Sequence, residues 1–460
     1  MSEKPKLWGG AFAEPPNDLG WRFGRSISDD RNLWLEEIEV SIAHAEMLVK
    51  TQIIPHQAGQ KILKVLTSLS EGDEWLDNYA DAEDIHAAVE THLCTMIGEA
   101  AKYLTVARSR NDQIATVSRL WLARRVDEAV GEVISLQSTI LELGKKHAGD
   151  LLLGTTHMQA AQPVTLGYHL MAYLWMLQRD KESLNSVKAQ TMRHCPLGSC
   201  AIAGTSLPVD RDYTATKLGF DAPSPSAIDS VSDRDFIGDT FHAFAKVMQH
   251  LSRLCHELIL WSTPQFGYVR IADAYSTGSS LMPQKRNPDM AELIRGRASQ
   301  AIGAWTSFMS MMQGQPLAYN RDMQDDKPGL FEVAQLVMDS LRISQGMLKT
   351  ATFDLGRMKS DAGSAGATAT GLAEHFALRG MPFREAHEAT GRIVRASLER
   401  GWDIICLTPN QMQELGFKAD EVVARVLSPE GSIAARISSG GSAPAALAEQ
   451  FLAAEHAIRV

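Results

Sequence analysis

Ser276-Thr-Gly-Ser-Ser-Leu-Met-Pro-Gln-Lys-Arg-Asn-Pro-Asp289 is the most informative segment of this chain. Gly278 predicts a backbone turn where a side chain would be an obstruction, and the two prolines disfavour both helix and strand. The segment is therefore predicted to be a loop. Loops that are held by a rigid scaffold often carry chemistry, and this one combines hydroxyls with cations: Ser279, Ser280, Lys285 and Arg286. Taken alone, the same composition is more typical of a solvated basic turn.

The middle of the chain is dominated by apolar residues at three- and four-residue spacing, which predicts long helices. The stripes are Val117, Leu120, Trp121, Val126, Val130, Val133, Ile134 and Leu141; Phe241, Phe244, Met248, Leu251, Cys255 and Leu258; and Leu330, Val333, Val337, Leu341 and Leu348. Each helix is expected to run about 25 to 35 residues, or roughly 40 to 50 Å. Few segments alternate with period two. The sequence therefore predicts an all-α fold with a central long-helix bundle.

Two smaller, mainly helical domains are expected on either side of this bundle. We predict an N-terminal domain over 1–110, the bundle over 111–358, and a C-terminal domain over 359–460. The last boundary is indicated by a break rich in glycine, alanine and serine, which begins at Asp361 after the last long helix.

Composition narrows the class of protein. Hydrophobic residues make up 45% of the 460 residues and charged residues 22%, as in ordinary globular proteins. The net charge of −10 argues against nucleic acid as a partner. No apolar run is long enough to span a membrane, and the polar segment from Met1 to Trp8 predicts no secretory signal. Five scattered cysteines without metal-ligand spacing favour a reducing cytoplasm.

Three further segments hold groups that could bind or react with a small anionic ligand. Arg108-Ser-Arg-Asn-Asp-Gln113 precedes a long helix, which Asn111 or Asp112 can cap, and its arginines suit carboxylates. Thr155-Thr-His-Met-Gln-Ala-Ala-Gln-Pro163 places a histidine in a polar turn, where an imidazole can exchange protons near neutral pH. Tyr319-Asn-Arg-Asp-Met-Gln-Asp-Asp-Lys327 supplies a phenol, an amide and an ammonium. Each segment is also compatible with a plain helix cap or a solvated loop.

The order of the long helices sorts these segments into two groups. If neighbouring helices are antiparallel, the segments at Arg108 and Tyr319 fall at one end of the bundle. Those at His157 and Ser279 fall at the other end, roughly 40 Å away. A single site that uses all four segments must then be assembled from more than one subunit. No nucleotide-binding loop, zinc motif or nucleophile elbow is present, so no cofactor and no metal are expected.

Together these segments resemble the fumarase/aspartase superfamily and, within it, the argininosuccinate lyases. The signature loop is matched in full from Gly278 to Asp289. Further matches cover nearly the whole chain: Leu7-Trp-Gly-Gly10, Ser26-Ile-Ser28, Glu83-Asp-Ile-His86, Ala107 to Gln113, Pro196-Leu-Gly-Ser199, Ser232 to Phe236, Tyr319 to Lys327, Pro382 to Glu388 and Gly440-Gly441.

The resemblance implies an all-α homotetramer that cleaves the C–N bond of argininosuccinate, giving L-arginine and fumarate by anti elimination without a cofactor. Its active sites would collect residues from three subunits. The implied catalytic residues are Ser279, His157, Lys285 and Glu292. The implied substrate-binding residues are Ser26, Ser109, Arg110, Asn111, Thr156, Asn287, Tyr319, Gln324 and Lys327.

The chain also departs from the family pattern beside several of these residues, at Ala11, Thr105, Val106, Thr155, Ala160, Ser226 and Ala227. Two alternatives therefore stay open. One is a sister lyase that releases fumarate from another N-substituted aspartate. The other is a non-catalytic, crystallin-like structural protein, against which the intact catalytic set argues.

Overall fold

The computed structural model describes residues 17–417 and 421–459. The N-terminal residues named above, Met1 to Ala11, lie outside the described residues.

Helices make up most of the described chain and confirm the predicted all-α class. The α-helices are α1 (Asp18–Gly24), α2 (Ile27–Asp30), α3 (Trp34–Lys50), α4 (His56–Leu69), α5 (Ile85–Ile97), α6 (Arg110–Lys146), α7 (Leu166–Thr191), α8 (Arg211–Lys217), α9 (Ala227–Ser232), α10 (Asp235–Ser262), α11 (Asp289–Met312), α12 (Pro328–Thr350), α13 (Leu355–Asp361), α14 (Ala369–Leu378), α15 (Phe383–Glu399), α16 (Pro409–Glu414), α17 (Glu421–Leu427), α18 (Pro429–Ala434) and α19 (Pro444–Arg459). Short 3-10 helices are η1 (Arg31–Leu33), η2 (Glu74–Tyr79), η3 (Gly98–Tyr103), η4 (Asp273–Tyr275), η5 (Arg321–Asp326), η6 (Ser364–Gly366) and η7 (Ile404–Cys406).

Strands are few, as the sequence predicts, and form three two-stranded sheets in the described chain. Strands β1 (Leu151–Thr156) and β2 (Gln159–Thr165) form an antiparallel hairpin. Strands β3 (His194–Cys195) and β4 (Ala222–Pro223) pair in parallel, and β5 (Val269–Arg270) pairs antiparallel with β6 (Thr352–Phe353).

The five long helices are α6, α7, α10, α11 and α12, with 37, 26, 28, 24 and 23 residues. The sequence predicts that these helices begin at about Asn111, Gly167, Arg234, Met290 and Gly329, and each observed helix begins within one residue of that position. Every residue of the predicted stripes in α10 and α12 is buried, whereas in α6 Val130 and Ile134 are only half-buried. The helical period therefore identified the buried face of these helices correctly. In the described chain, no helix is both long and apolar enough to cross a membrane.

Contacts divide the chain into two compact units. Unit 1 comprises the described residues within Met1–Val130, Glu182–Lys246 and Ser299–Met338. Unit 2 comprises Gly131–Lys181, Val247–Ala298 and the described residues of Asp339–Val460. One core of unit 1 lies between α3, α4 and α5 and includes Ile38, Ile62 and Leu93. One core of unit 2 includes Leu372, Ile393 and Met412 in its C-terminal helices. The predicted domain boundaries after residues 110 and 358 stay a prediction.

Helix α11 has an exposed surface that is partly apolar. The side chains of Leu293, Ile302 and Met309 are 43%, 48% and 53% exposed. A Cβ at Gly303 would meet no described atom within 4 Å. Large exposed apolar surface on a helix is typical of a protein–protein interface.

Candidate active site

Unit 1 contains a cavity of about 150 Å³. Six of the residues that the family resemblance assigns to substrate binding line it, namely Ser26, Arg110, Asn111, Tyr319, Gln324 and Lys327. The other lining residues are Asp30, Glu83, Asp84, His86, Ile114 and Arg321. Residues that are distant in sequence therefore meet in one polar cavity, and most of them are charged.

Backbone and cap contacts bring these segments together. The backbone N–H of Ser26, just before α2, donates to the carbonyl oxygen of Glu83 at 2.8 Å. Asp84 caps helix α5 and accepts a hydrogen bond from the N–H of Ala87 at 2.7 Å. Gln324 in η5 donates to the carbonyl oxygen of Gly24 at 3.1 Å. Turns at element ends therefore build the wall of the cavity.

The start of helix α6 is fixed by two side chains that flank Asn111. The hydroxyl of Ser109 accepts the N–H of Asn111 at 3.3 Å, and the N–H of Ser109 donates to Asp112 at 3.0 Å. The other oxygen of Asp112 accepts the N–H groups of Gly198 at 3.0 Å and Cys200 at 2.7 Å. Burial raises the pKa of Asp112 to about 6. The prediction that Asn111 or Asp112 caps the helix is wrong, because Ser109 occupies the cap position and does not line the cavity.

Carboxylates and guanidinium groups alternate around the cavity. Glu83 contacts Arg110 at 3.3 Å through one oxygen and Arg321 at 3.2 Å through the other. Arg110 also lies 3.4 Å from Asp84. Its Nη2 is buried and has no hydrogen-bond partner in the described chain. The cavity therefore combines carboxylates that suit a cationic group with a guanidinium nitrogen that can donate a further hydrogen bond.

Asp30 is a second charged group that can form a further hydrogen bond. One of its oxygens accepts the hydroxyl of Ser26 at 2.6 Å. The other oxygen is buried and has no partner among the described residues. Burial raises the pKa of Asp30 above its ordinary value. A buried carboxylate oxygen without a partner is costly, which favours a ligand donor at this position.

Lys327 enters the cavity as a buried cation held by a neighbouring carboxylate. Its Nζ lies 2.8 Å from Asp326, whose other oxygen accepts Nε of the buried Arg234 at 2.6 Å. Burial opposes the charge of Lys327, but Asp326 and Asp30 outweigh burial and raise its pKa. Burial also raises the pKa of Tyr319. Near neutral pH the pair therefore presents an ammonium and a neutral phenol.

An ion pair lies in the wall of the cavity. The Nδ1 atom of His86 lies 2.8 Å from Glu37, which is fully buried. Burial opposes the charge of both groups, but each partner outweighs it, so the pKa of His86 is raised and that of Glu37 lowered. Ser41 and Gln113 also donate to Glu37. His86 is thereby held as an imidazolium.

A second, larger cavity of about 550 Å³ in unit 1 shares three lining residues with the first, Glu83, Arg321 and Gln324. Helix α1 supplies Trp21 and Phe23 to its wall. Phe23 is 90% exposed.

The loop that contains Ser279 lies in unit 2. Its base is closed by two backbone hydrogen bonds between Thr277 and Asn287, of 3.1 and 2.8 Å. The hydroxyl oxygen of Ser279 accepts the backbone N–H groups of Leu281 at 3.2 Å and Met282 at 3.1 Å. Two donors on one hydroxyl oxygen favour negative charge on that atom.

The tip of this loop is exposed, and its glycine is not sterically required. Leu281 is 84% exposed, and Lys285 is also exposed. Arg286 forms an ion pair with Asp273 in η4. A Cβ at Gly278 would lie 3.9 Å from its nearest neighbour, the carbonyl oxygen of Lys285. The prediction that a side chain at this position would obstruct the backbone is therefore wrong.

His157 and Met158 form the two-residue turn of the β1–β2 hairpin. Their φ angles are +53° and +59°, in the left-handed region that glycine and asparagine usually occupy in such turns. Thr156 is the last residue of β1 and pairs with Gln159. A non-glycine residue in this region is strained, and such strain concentrates at functional sites. The predicted polar turn is thus the exposed tip of a hairpin.

Glu292 lies in the first turn of helix α11 and is exposed. No hydrogen bond or ion pair in the described parts of the chain joins His157, Ser279, Lys285 and Glu292 to one another. Unit 2 therefore carries the predicted catalytic residues on two separate segments, the hairpin and the loop with the start of α11. Among residues 17–417 and 421–459, no group of three or more His, Cys, Asp or Glu is arranged to hold a metal ion.

The departures from the family pattern that the structure describes lie in structural positions. Val106 accepts a hydrogen bond from the imidazole of His44 at 2.9 Å through its carbonyl oxygen. Thr155 and Ala160 pair across the hairpin. Ser226 caps helix α9, which begins at Ala227.

Sequence reasoning missed most of the charged groups in the cavity wall: Asp30, Glu83, Asp84, His86 and Arg321. Glu83, Asp84 and His86 stand in one short run, and that run was available as a signal. The family resemblance matches this run but assigns no role to its side chains.

Comparison with known proteins places the chain in a family. A family model described as Lyase matches residues 10–303, and one described as Argininosuccinate lyase C-terminal matches residues 366–434. The argininosuccinate lyase of Cupriavidus metallidurans is 42% identical, with 100% of this chain and 99% of that protein covered. The argininosuccinate lyase of Pelotomaculum thermopropionicum is also 42% identical, over 99% of each chain.

The solved structure of an EDDS lyase in complex with formate superposes with a TM-score of 0.84 at 25% identity, over 96% of this chain and 89% of that chain. The match to the Cupriavidus metallidurans protein covers 100% of this chain and so includes the segments that build the cavity and the Ser279 loop. The chain belongs to the argininosuccinate lyase family.

Proposed function

We propose that this chain is a C–N lyase that cleaves argininosuccinate into L-arginine and fumarate in the cytoplasm, as a step of arginine biosynthesis. The observation that carries the proposal is full-length identity of about 42% to proteins named argininosuccinate lyase. The polar cavity of unit 1 and the hydroxyl of Ser279 supply groups that suit the two halves of this substrate.

Ser279 removes the proton from the carbon next to the bond that breaks. A serine hydroxyl is a very weak base and needs activation. The N–H groups of Leu281 and Met282 stabilise the alkoxide, and Lys285 adds positive charge. The electron pair left on carbon is delocalised into the adjacent carboxylate, which Lys285 and Asn287 bind. Loop closure over the substrate excludes water.

His157 acts on the leaving group. When the C–N bond breaks, its electron pair goes to nitrogen, and His157 supplies a proton to that nitrogen. Glu292 polarises the imidazole, and Thr156 binds the substrate beside it. The electron pair on carbon becomes the double bond of fumarate, and the proton from His157 completes the guanidinium group of the departing arginine. Ser279 and His157 exchange their roles as acid and base in the reverse direction.

The cavity of unit 1 holds the rest of the substrate. Arg110 and Asn111 bind succinyl carboxylates, a role supported by the free Nη2 of Arg110. Ser109, which does not line the cavity, positions Asn111 by accepting its backbone N–H. Ser26, Tyr319, Gln324 and Lys327 hold the arginine half. The carboxylates of Asp30, Glu83 and Asp84 complement its cationic groups.

The working enzyme is a homotetramer whose sites draw residues from different subunits. Helix α6 has 37 residues and is about 55 Å long. The ten residues from Lys146 to Thr156 reach at most about 36 Å. This length favours sites that take Arg110 and Thr156 from different chains. The exposed apolar residues of α11 supply a surface for subunit packing.

One assay tests the function. Purified protein is given argininosuccinate, and fumarate is followed by its absorbance, with arginine measured separately. Equal amounts of both products are expected. Fumarate from another N-substituted aspartate but none from argininosuccinate would indicate a sister lyase. No fumarate from any such substrate would indicate a structural protein.

A further inference from the structure

A glycine inside a long helix is unfavourable by about 1 kcal/mol relative to alanine, and Gly346 lies inside α12, near its C-terminal end. A Cβ at this position would lie 1.9 Å from the hydroxyl oxygen of Tyr275 and 2.4 Å from its Cζ. Both distances are far shorter than any allowed contact. The ring of Tyr275 therefore occupies the space that every other residue at position 346 would need.

Tyr275 leads directly into the Ser279 loop. It ends η4, and only Ser276 separates it from the Thr277–Asn287 pair that closes the loop. The chain before η4 is also attached to the end of α12. There, Val269 and Arg270 pair with Phe353 and Thr352, just beyond the helix. The segment that enters the loop is therefore held near the C-terminal end of α12 at two positions, by Tyr275 at Gly346 and by the β5–β6 pair.

The segment leaving the loop is attached to the same turn. Arg286 forms an ion pair with Asp273, the first residue of η4. By contrast, the tip of the loop from Leu281 to Lys285 is exposed. The loop therefore has a fixed base and a free tip. Any displacement of Tyr275 moves the base and, through it, Ser279.

We propose that Tyr275, packed on the bare backbone of Gly346, is a positioning residue that anchors the Ser279 loop to helix α12. The proposal rests on the assignment of Ser279 under the proposed function. Tyr275 acts through the loop and does not touch the substrate. Loss of the contact lowers kcat, because a displacement of about 1 Å in a reacting group can slow chemistry about 100-fold. Substrate affinity, supplied largely by unit 1, changes little.

A double-mutant cycle tests this inference. Gly346→Ala and Tyr275→Ala are each expected to lower kcat about 10- to 100-fold, with KM changed less than about threefold. The double variant should be no slower than Tyr275→Ala alone, since the added methyl no longer meets a ring. Tyr275→Phe keeps the ring and should retain most of the activity. Gly131→Ala is the matched control, because a Cβ at this helical glycine meets no described atom within 4 Å.

Trypsin cleavage after Lys285 or Arg286, identified by mass, reports on the loop without using activity. Faster cleavage is expected in Gly346→Ala and Tyr275→Ala and unchanged cleavage in Gly131→Ala. Additive losses of kcat, or a Gly346→Ala variant with wild-type kcat and cleavage rate, would overturn the anchor. If the wild-type protein releases no fumarate, the proposed function fails, while the cleavage rates still decide whether Tyr275 anchors the loop.

Discussion

Two backbone N–H groups converge on the hydroxyl oxygen of Ser279, so the loop favours an alkoxide before any substrate binds. Replacing Ser279 by alanine removes the base and leaves no cavity, because the loop is exposed. We expect kcat to fall by about 100- to 10,000-fold, with an unchanged unfolding temperature and unchanged assembly. Ser280→Ala, one residue away, serves as the control and should stay active. A Ser279→Ala enzyme with half of the wild-type kcat would remove this residue from the mechanism.

The pair of His86 and Glu37 predicts a pH dependence of stability. The raised pKa of His86 means that the folded chain binds this proton more tightly than the unfolded chain. Its contribution is therefore fully present below about pH 6.5 and is lost as pH rises through the raised pKa. The lowered pKa of Glu37 contributes above about pH 4.5 and is lost as pH falls through the lowered value.

Urea unfolding of His86→Gln and wild type measures this contribution. The free-energy difference should be about 3 kcal/mol near pH 6 and should shrink as pH is raised toward 9. His387→Gln changes an exposed histidine and should show no such trend. A difference that grows with pH would contradict the pair.

For single residues, the sequence predicted the ligand-binding side chains better than the charged groups that surround them. Ser26, Tyr319 and Lys327 were assigned through the resemblance, and the structure brings them into one cavity. The carboxylates of Asp30 and Glu83 were missed, because their burial arises from segments far apart in the chain. Residue type alone does not distinguish a buried carboxylate from a solvated one.

At the scale of elements, the tip of the β1–β2 hairpin stores strain. A non-glycine residue in the left-handed region costs about 1 to 2 kcal/mol, and both His157 and Met158 adopt it. Met158→Gly should therefore raise the free energy of unfolding by about 1 kcal/mol. Met158→Ala keeps the Cβ and should leave it unchanged. Thermal unfolding of the two variants makes the comparison, and equal effects would show that the turn is not strained.

The contrast between helices and hairpin shows what a sequence pattern can specify. Helices α10 and α12 repeat their apolar period from Phe241 to Leu258 and from Leu330 to Leu348, and their predicted starts were correct to one residue. The hairpin has short strands and a His-Met turn in place of the usual Asn-Gly. The sequence therefore predicted the polar turn at His157 but not the two strands that flank it.

For the whole molecule, the decisive prediction concerns which chain supplies which residue. Arg110→Ala and His157→Ala should each be inactive. Mixed and allowed to exchange subunits, they should regain partial activity, because some hybrid sites take Arg110 from one chain and His157 from another. Fumarate release, with hybrid composition confirmed by mass, is the measurement.

A matched mixture provides the control. Arg110→Ala and Asn111→Ala change neighbouring residues, which one chain always supplies together. Every hybrid site therefore lacks one of the two side chains, and no activity should return. Well-exchanged hybrids of the first pair without activity would contradict sharing, as would full activity in a stable isolated monomer.

Gly346 also restricts how this sequence can diverge. Every replacement of glycine adds a Cβ, and here that atom would overlap the ring of Tyr275. A substitution at 346 is therefore tolerated only in a lineage where position 275 has already lost its large side chain. Aligned relatives should show a side chain at the first position only together with a small residue at the second. The two sites would then change in a fixed order, with 275 always first.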